Sequence, residues 1–172
     1  CTLVESHRVN CTFMVPTMIY VLLDSPVRQD HDLSSLETLI YGAASITPAR
    51  LQEGIAELGP IFMQLYGQSE APMAMTVLHK HEHDPVNHPH RLSSCGTPVV
   101  GIQLALLDEQ GQEVPTGEVG EICVRGPLVM QEYITNPMKA LWRLDMDGST
   151  LAIWPDVMQT GICTLSTAPR TW

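Results

Sequence analysis

Positive charge is scarce in this sequence: nine Lys and Arg stand against nineteen Asp and Glu, for a net charge of −10. A face that neutralises phosphates needs clustered cations, so nucleic acid is excluded as the main partner. Long apolar runs are lacking too. The nearest, "CTFMVPTMIYVLL" at 11–23, is interrupted by Pro16 and falls short of the ~20 residues that span a bilayer, so no transmembrane segment is expected. The sequence has no initiating Met and no basic leader, so no signal peptide is expected, and its start at Cys1 reads as the start of a fragment. Paired cysteine motifs are also missing. The five cysteines, at 1, 11, 95, 123 and 163, are odd in number, widely spaced and never C-x-x-C, which points to reduced thiols in a cytoplasm.

What is present is a globular composition, 44 % hydrophobic over 172 residues, enough for a buried core. Three stretches differ in character, at 1–90, 91–135 and 136–172. In the first, Pro16 suits the opening turn of a buried helix running to about Leu23. "LETLIYGAA" (36–44) is a short apolar run ending on small residues, the pattern of a buried parallel strand. In "ITPARLQEGIAELGP", Thr47 caps a helix, Pro48 fits its first turn, Leu51, Ile55 and Leu58 share a face, and Gly59 closes it. "IFMQLYG" (61–67) is a second strand. Strand, helix and strand at this spacing predict a βαβ unit, whose strands are parallel and end on one edge of the sheet. From 91 onward, alternating apolar and polar residues punctuated by "DEQGQ" and "PTGEVG" predict a β-meander or small barrel.

The βαβ reading brings Gly42-Ala43-Ala44 and the loop of "QLYGQSEAP" (64–72) to the edge where open α/β sheets bind ligands. On spacing alone "YGQSE" fits two things, a solvated turn after a strand or a nucleotide loop. In the second, the Tyr66 ring stacks on a purine, the Ser69 hydroxyl reaches a phosphate, and Glu70 holds Mg²⁺, a hard cation that prefers oxygen. Small residues at 42–44 let a flat base approach the backbone. His79, His81, His83, His88 and His90 crowd a Pro-containing connector; it reads as a solvated loop, with a transition-metal site as the alternative. Cys95 and Cys123 read as packing residues rather than nucleophiles. Met14 and Met18 line either a core or an acyl pocket.

In order and spacing, "VPTMIYVLL", "LETLIYGAASITP", "MQLYGQSEAP", "SCGTPVVGIQLALLDEQGQEVPTGEVGEICVRGP" and "VMQEYITNP" resemble the AMP-forming acyl-CoA synthetases of the adenylate-forming superfamily. The likeness covers roughly residues 1–135. It implies part of the large N-terminal domain of such an enzyme: a partial parallel βαβ sheet at 1–90, then part of a β-barrel subdomain at 91–135. It also implies ATP (and AMP), Mg²⁺ and CoA as ligands, and a small carboxylic acid, of fatty type, as substrate. Gly42, Ala43 and Ala44 would border the adenine, Tyr66 would stack on it, Ser69 would contact phosphate, and Glu70 would bind the metal. Gly67 and Gln68 would shape the mouth of the acyl pocket, with Met73 and Ala74 nearby. A carrier-protein or aryl-acid adenylation domain would carry the same motifs, and a non-catalytic α/β interaction module would share only the fold.

Three departures bear on activity. The family's phosphate loop belongs upstream of Cys1, and its lid domain with a catalytic Lys is also absent from this sequence. The third departure follows "YITNP", where the family expects G-W-x-x-T-G-D with an Asp for the ribose; Thr160-Gly161 is followed instead by Ile162. The genetic code accounts for this. Synonymous codons for residues 147–172, read from the third base, spell "WFHTGDLARRDADGYLYIVDRAKDM", the expected family continuation. Residues 142–148 likewise permit "AFRHGW", which places a frame break near Asn136–Met138. The segment 136–172 is therefore expected to be an out-of-frame tail, loosely held, and the chain alone is expected not to be catalytically competent.

Overall fold

The computed structural model describes residues 1–108 and 110–130, together with the backbone of 150–153, 158–159 and 162–164. The chain divides into two compact units, one formed by Cys1–Leu65 with Val77–Ser94 and the other by Tyr66–Thr76 with the chain from Cys95 onward.

The first unit is α/β. After a short helix α1 (Thr2–His7), β1 (Cys11–Met14) leads into α2 (Pro16–Asp24), β2 (Thr38–Gly42), α3 (Pro48–Leu58) and β3 (Phe62–Gln68). β1 pairs parallel with β2, and β2 parallel with β3. There are therefore two successive strand–helix–strand crossovers, one more than the sequence pattern predicts. The extra one arises because β1 lies inside the apolar run that continues into α2. α2 starts with Pro16 at its first turn and buries Pro16, Ile19 and Leu23. The Pro ring fixes φ for the helix and gives up only an N–H that would have no helical partner.

α3 carries the signals expected of it. The Thr47 side chain accepts from the Arg50 N–H at 3.4 Å, Pro48 opens the helix, and the N–H of Gly59 (φ 85°) bonds to the Ile55 carbonyl. Leu51 and Gly54 form its buried face. A Cβ on Gly54 would come within 2.8 Å of the Phe62 ring, so the missing side chain is what lets α3 lie against β3. Ile19, Leu39, Tyr41, Leu51 and Phe62 form the heart of this core, all fully buried.

The polar connector after β4 (Ala71–Leu78) is not a bare loop: it contains 3₁₀ turns at Lys80–Glu82 and Pro89–Ser93. Lys80 Nζ reaches back to the Glu37 carbonyl (2.9 Å) and Thr38 Oγ1 (3.2 Å), tying the connector to the start of β2.

The second unit is antiparallel. β5 (Ser94–Pro98) packs alongside β4, where Thr76 Oγ1 donates to the Cys95 carbonyl at 2.6 Å. β6 (Gln103–Leu107) pairs antiparallel with β7 (Glu121–Arg125), and β7 with β8 (Thr150–Ile153). The "DEQGQ" stretch is a turn: Asp108 Oδ1 accepts from the N–H groups of Gln110 and Gln112, and Gly111 takes φ 76°. Met75, Cys95, Ile122 and Val124 centre its core. Two short strands, β9 (Met158–Gln159) and β10 (Ile162–Thr164), pair antiparallel. For the rest of the tail, the expectation of an out-of-frame, loosely held segment falls on residues outside those described.

Of the cysteines expected as reduced thiols, Cys1, Cys11 and Cys123 are not disulfide-bonded, whereas Cys95 is. Cys95 is fully buried against its core, so the packing role read from the sequence is compatible with that bond. Among the described residues no helix is long and apolar enough to cross a membrane.

Candidate functional site

The first candidate segment is the βα loop of the first unit. Gly42 ends β2 directly opposite Leu65 of β3. A Cβ on Gly42 would collide with the Leu65 backbone carbonyl oxygen, so only glycine lets the two strands close at this level. Ala43 follows in the left-handed region at φ 66°, a conformation that costs an L-residue with a side chain roughly 1 kcal/mol or more. Ala43, Ala44 and Ser45 are exposed, and buried Ile46 anchors the loop before the Thr47 cap. The chain thus turns sharply out of the sheet and presents small side chains to solvent at the carboxyl end of β2. Non-glycine residues at positive φ concentrate where function holds the backbone in place.

Beneath that loop lies a polar network that the sequence reading did not identify. Tyr41 is fully buried, and its hydroxyl oxygen lies 3.0 Å from His83 Nε2 and 3.2 Å from Gln64 Oε1. His83 Nδ1 lies 2.8 Å from the His79 carbonyl. A carbonyl only accepts, so Nδ1 carries the proton. Burial pushes the His83 pKa down, against the pull of the His79 carbonyl and the Glu82 charge. Burial likewise pushes the Tyr41 hydroxyl far above its usual range. No local signal marks this triad, because Tyr41 and His83 are 42 positions apart.

The second segment belongs to the other unit. Tyr66, Gly67 and Gln68 end β3, and β4 starts at Ala71, so Ser69-Glu70 form a two-residue hairpin turn. Such a tight connection makes the two strands antiparallel. Tyr66 is half-buried against the Ala71 and Met75 core, and Gln68 Nε2 donates to its hydroxyl at 3.4 Å. Ser69 is exposed at the turn and Glu70 is half-buried, its carbonyl accepting from the Met130 N–H at 2.8 Å. The structure thus gathers Gly42, Ala43 and Ala44 in one loop and Tyr66 to Glu70 in one hairpin. Ala74 is half-buried, and the Met73 side chain lies outside the described residues.

The histidines separate into roles. His79 and His81 stack with centroids 5.6 Å apart, and His88 meets His90 edge-on at 5.9 Å. Among the described residues no group of three or more side chains is arranged to hold a metal. His83 has protein partners at both ring nitrogens. A cavity of about 290 Å³ opens in the first unit, lined by Arg28, His31, Leu36, Glu57 and Ile61, with Arg28 paired to Glu57 at 2.7 Å. Leu36 and Ile61 precede β2 and β3, so this cavity lies at the amino ends of the strands, away from the loop at Gly42.

The family model described as AMP-binding enzyme matches residues 1–134. The chain is 53 % identical over 135 residues to the medium/long-chain-fatty-acid–CoA ligase FadD8 of Mycobacterium tuberculosis, covering 78 % of this chain and 23 % of that protein. It is 38 % identical over 134 residues to a feruloyl-CoA synthase of an Amycolatopsis species, covering 78 % of this chain and 26 % of that one. Among solved structures, the amide bond synthetase McbA of Marinactinospora thermotolerans superposes with a TM-score of 0.86 at 28 % identity, over 95 % of this chain and 32 % of that one. The chain spans about a quarter of the length of these curated relatives.

Proposed function

The chain belongs to the AMP-binding enzyme family, and from that premise we propose that it is part of an acyl-CoA ligase. In this reading a carboxylate oxygen attacks the α-phosphorus of ATP. The bond to the bridging oxygen breaks, pyrophosphate leaves and an acyl-adenylate remains. The sulfur of CoA then attacks the acyl carbon, the acyl–oxygen bond breaks, AMP leaves, and the thiol proton passes to solvent. The protein's share in the first step is positioning and charge neutralisation.

Gly42, Ala43 and Ala44 border the adenine and Tyr66 stacks on it. Ser69 contacts phosphate, and Gly67 and Gln68 shape the mouth of the acyl pocket. Glu70 offers only oxygen ligands beside the exposed Ser69 hydroxyl, a donor set that suits Mg²⁺. When bound, that ion neutralises phosphate charge. The substrate is a medium or long fatty acid, supported by the 53 % identity to the mycobacterial fatty-acid ligase. An aryl acid is the second reading, supported at 38 % identity by the feruloyl-CoA synthase. We place the enzyme in a cytoplasm. The family match ends at residue 134, next to Asn136–Met138, and this supports an out-of-frame origin for the segment from about Met138 onward. Sequencing the underlying DNA tests that origin; a frame with no alternative continuation contradicts it.

The observation that most supports the nucleotide reading is the parallel register of β2 and β3, which ends β2 at Gly42 opposite Leu65 and sends the Gly42–Ala44 segment out at a carboxyl end. Ligands of open α/β sheets bind at such carboxyl ends. The test is photolabelling of the full chain with 8-azido-ATP and Mg²⁺, followed by peptide mapping. Saturable labelling within 38–50 or 62–78, competed by ATP, is expected. Labelling that does not saturate, or that maps elsewhere, contradicts the reading.

A further inference from the structure

Below the exposed loop that follows Gly42, the residues Tyr41, Gln64 and His83 are 0 %, 5 % and 3 % exposed, respectively. Tyr41 and Gln64 are direct register partners on β2 and β3, so one buried hydroxyl bridges the two strands. His83 comes from the connector after β4 and meets the Tyr41 ring edge-on, with centroids 5.7 Å apart and planes at 71°. The connector itself is fixed at both ends of this contact. His79 donates its N–H to Glu82 Oε2 at 2.8 Å, and Lys80 Nζ bonds to the Glu37 carbonyl and Thr38 Oγ1. β2 is therefore gripped at its first residue by Lys80 and near its last by His83.

The protons of the triad can be assigned from donor and acceptor capacity. With Nδ1–H donating to the His79 carbonyl, neutral His83 has only an acceptor at Nε2. The Tyr41 hydroxyl then donates to His83, and its oxygen is left to accept. Gln64 meets that need by presenting its NH₂, an exchange of amide nitrogen and oxygen that keeps the heavy-atom positions. Every polar atom of the triad facing another is satisfied in this arrangement, as a buried network requires.

The location of the triad is what gives it a role beyond packing. Tyr41 immediately precedes Gly42, and Gln64 immediately precedes Leu65, whose carbonyl fills the space left by the missing Gly42 side chain. Any displacement of Tyr41 or Gln64 is passed directly to that contact and to strained Ala43 beyond it. We propose that His83 is a positioning residue for the nucleotide site: through Tyr41 and Gln64 it fixes the level at which β2, held against β3, delivers Gly42–Ala44. The inference rests on the assignment of those residues to adenine.

The test measures the half-saturating concentration of 8-azido-ATP for photolabelling of the full chain. Tyr41→Phe keeps the ring and removes only the hydroxyl, and His83→Phe keeps ring volume and removes both ring nitrogens. Each is expected to raise the half-saturating concentration about three-fold or more, the scale of one lost net hydrogen bond. The double variant should fall short of the sum of the two singles, because both break the Tyr41–His83 bond while each also loses one bond of its own. His83→Gln, which keeps an amide donor and acceptor, should recover much of the loss. Ile19→Val, a core change outside the triad, serves as the control for a general loss of stability and should leave labelling unchanged. Half-saturation in both Phe variants equal to the wild type, or a rise of the same size in Ile19→Val at the same loss of thermal midpoint, overturns the proposal. Absence of saturable labelling in the wild type instead sinks the nucleotide reading on which it rests.

Discussion

Gly42, the last residue of β2, stands opposite Leu65 in the middle of β3, and the Leu65 carbonyl occupies the place where a Gly42 side chain would be. The glycine read from sequence as room for a flat base is thus also required for strand closure. The neighbouring group is backbone inside a paired ladder, so it cannot swing aside. Gly42→Ala should destabilise the first unit by about 3 kcal/mol, at the upper end of overpacking effects. Urea unfolding followed by circular dichroism checks this; a midpoint equal to the wild type contradicts it.

Ala43 offers a cleaner measure of loop strain, because it is exposed. At φ 66° a β-branched residue clashes with its own backbone. Ala43→Val should cost roughly 1–2 kcal/mol of stability, whereas Ala44→Val, equally exposed in the same loop, should cost much less. Equal midpoints for the two variants would contradict the assigned backbone conformation.

Stability should depend on pH through His83. Its folded pKa is lowered by burial, so the unfolded chain takes up this proton first as pH falls. The contribution is therefore complete above the unfolded value of ~6.5, and it declines as pH drops from there toward the lowered folded value. His83→Gln has no such proton to bind. The gap between wild-type and His83→Gln thermal midpoints should shift in favour of the variant between neutral pH and the acid side of that window; a gap independent of pH contradicts the assignment.

Some of this architecture was legible in the sequence and some was not. α3 was readable to the residue, since a capping Thr47, Pro48 at the first turn and Gly59 past the end each have one strong local reason to be there. The apolar runs at 36–44 and 61–67 became β2 and β3, paired parallel as the βαβ spacing required. β1 was hidden because Cys11–Met14 runs on into α2 without punctuation until Pro16, and periodicity does not separate a strand from a helix over so few residues. β4 was missed because Ser69-Glu70 carries none of the Gly or Asn residues that mark tight hairpin turns, so a two-residue connection read as an open loop. The Tyr41–His83–Gln64 network was out of reach for a different reason. It depends on where a connector folds back, which neither propensity nor spacing encodes.

The central claim is that Gly42–Ala44 and Tyr66–Glu70 serve one nucleotide. The most direct test is a titration of the ¹⁵N-labelled chain with ATP and Mg²⁺, followed by backbone amide shifts. Saturable shifts in both segments at a single apparent dissociation constant, lost together in Tyr66→Ala, are predicted. Shifts confined to one segment, or different constants for the two, would contradict it.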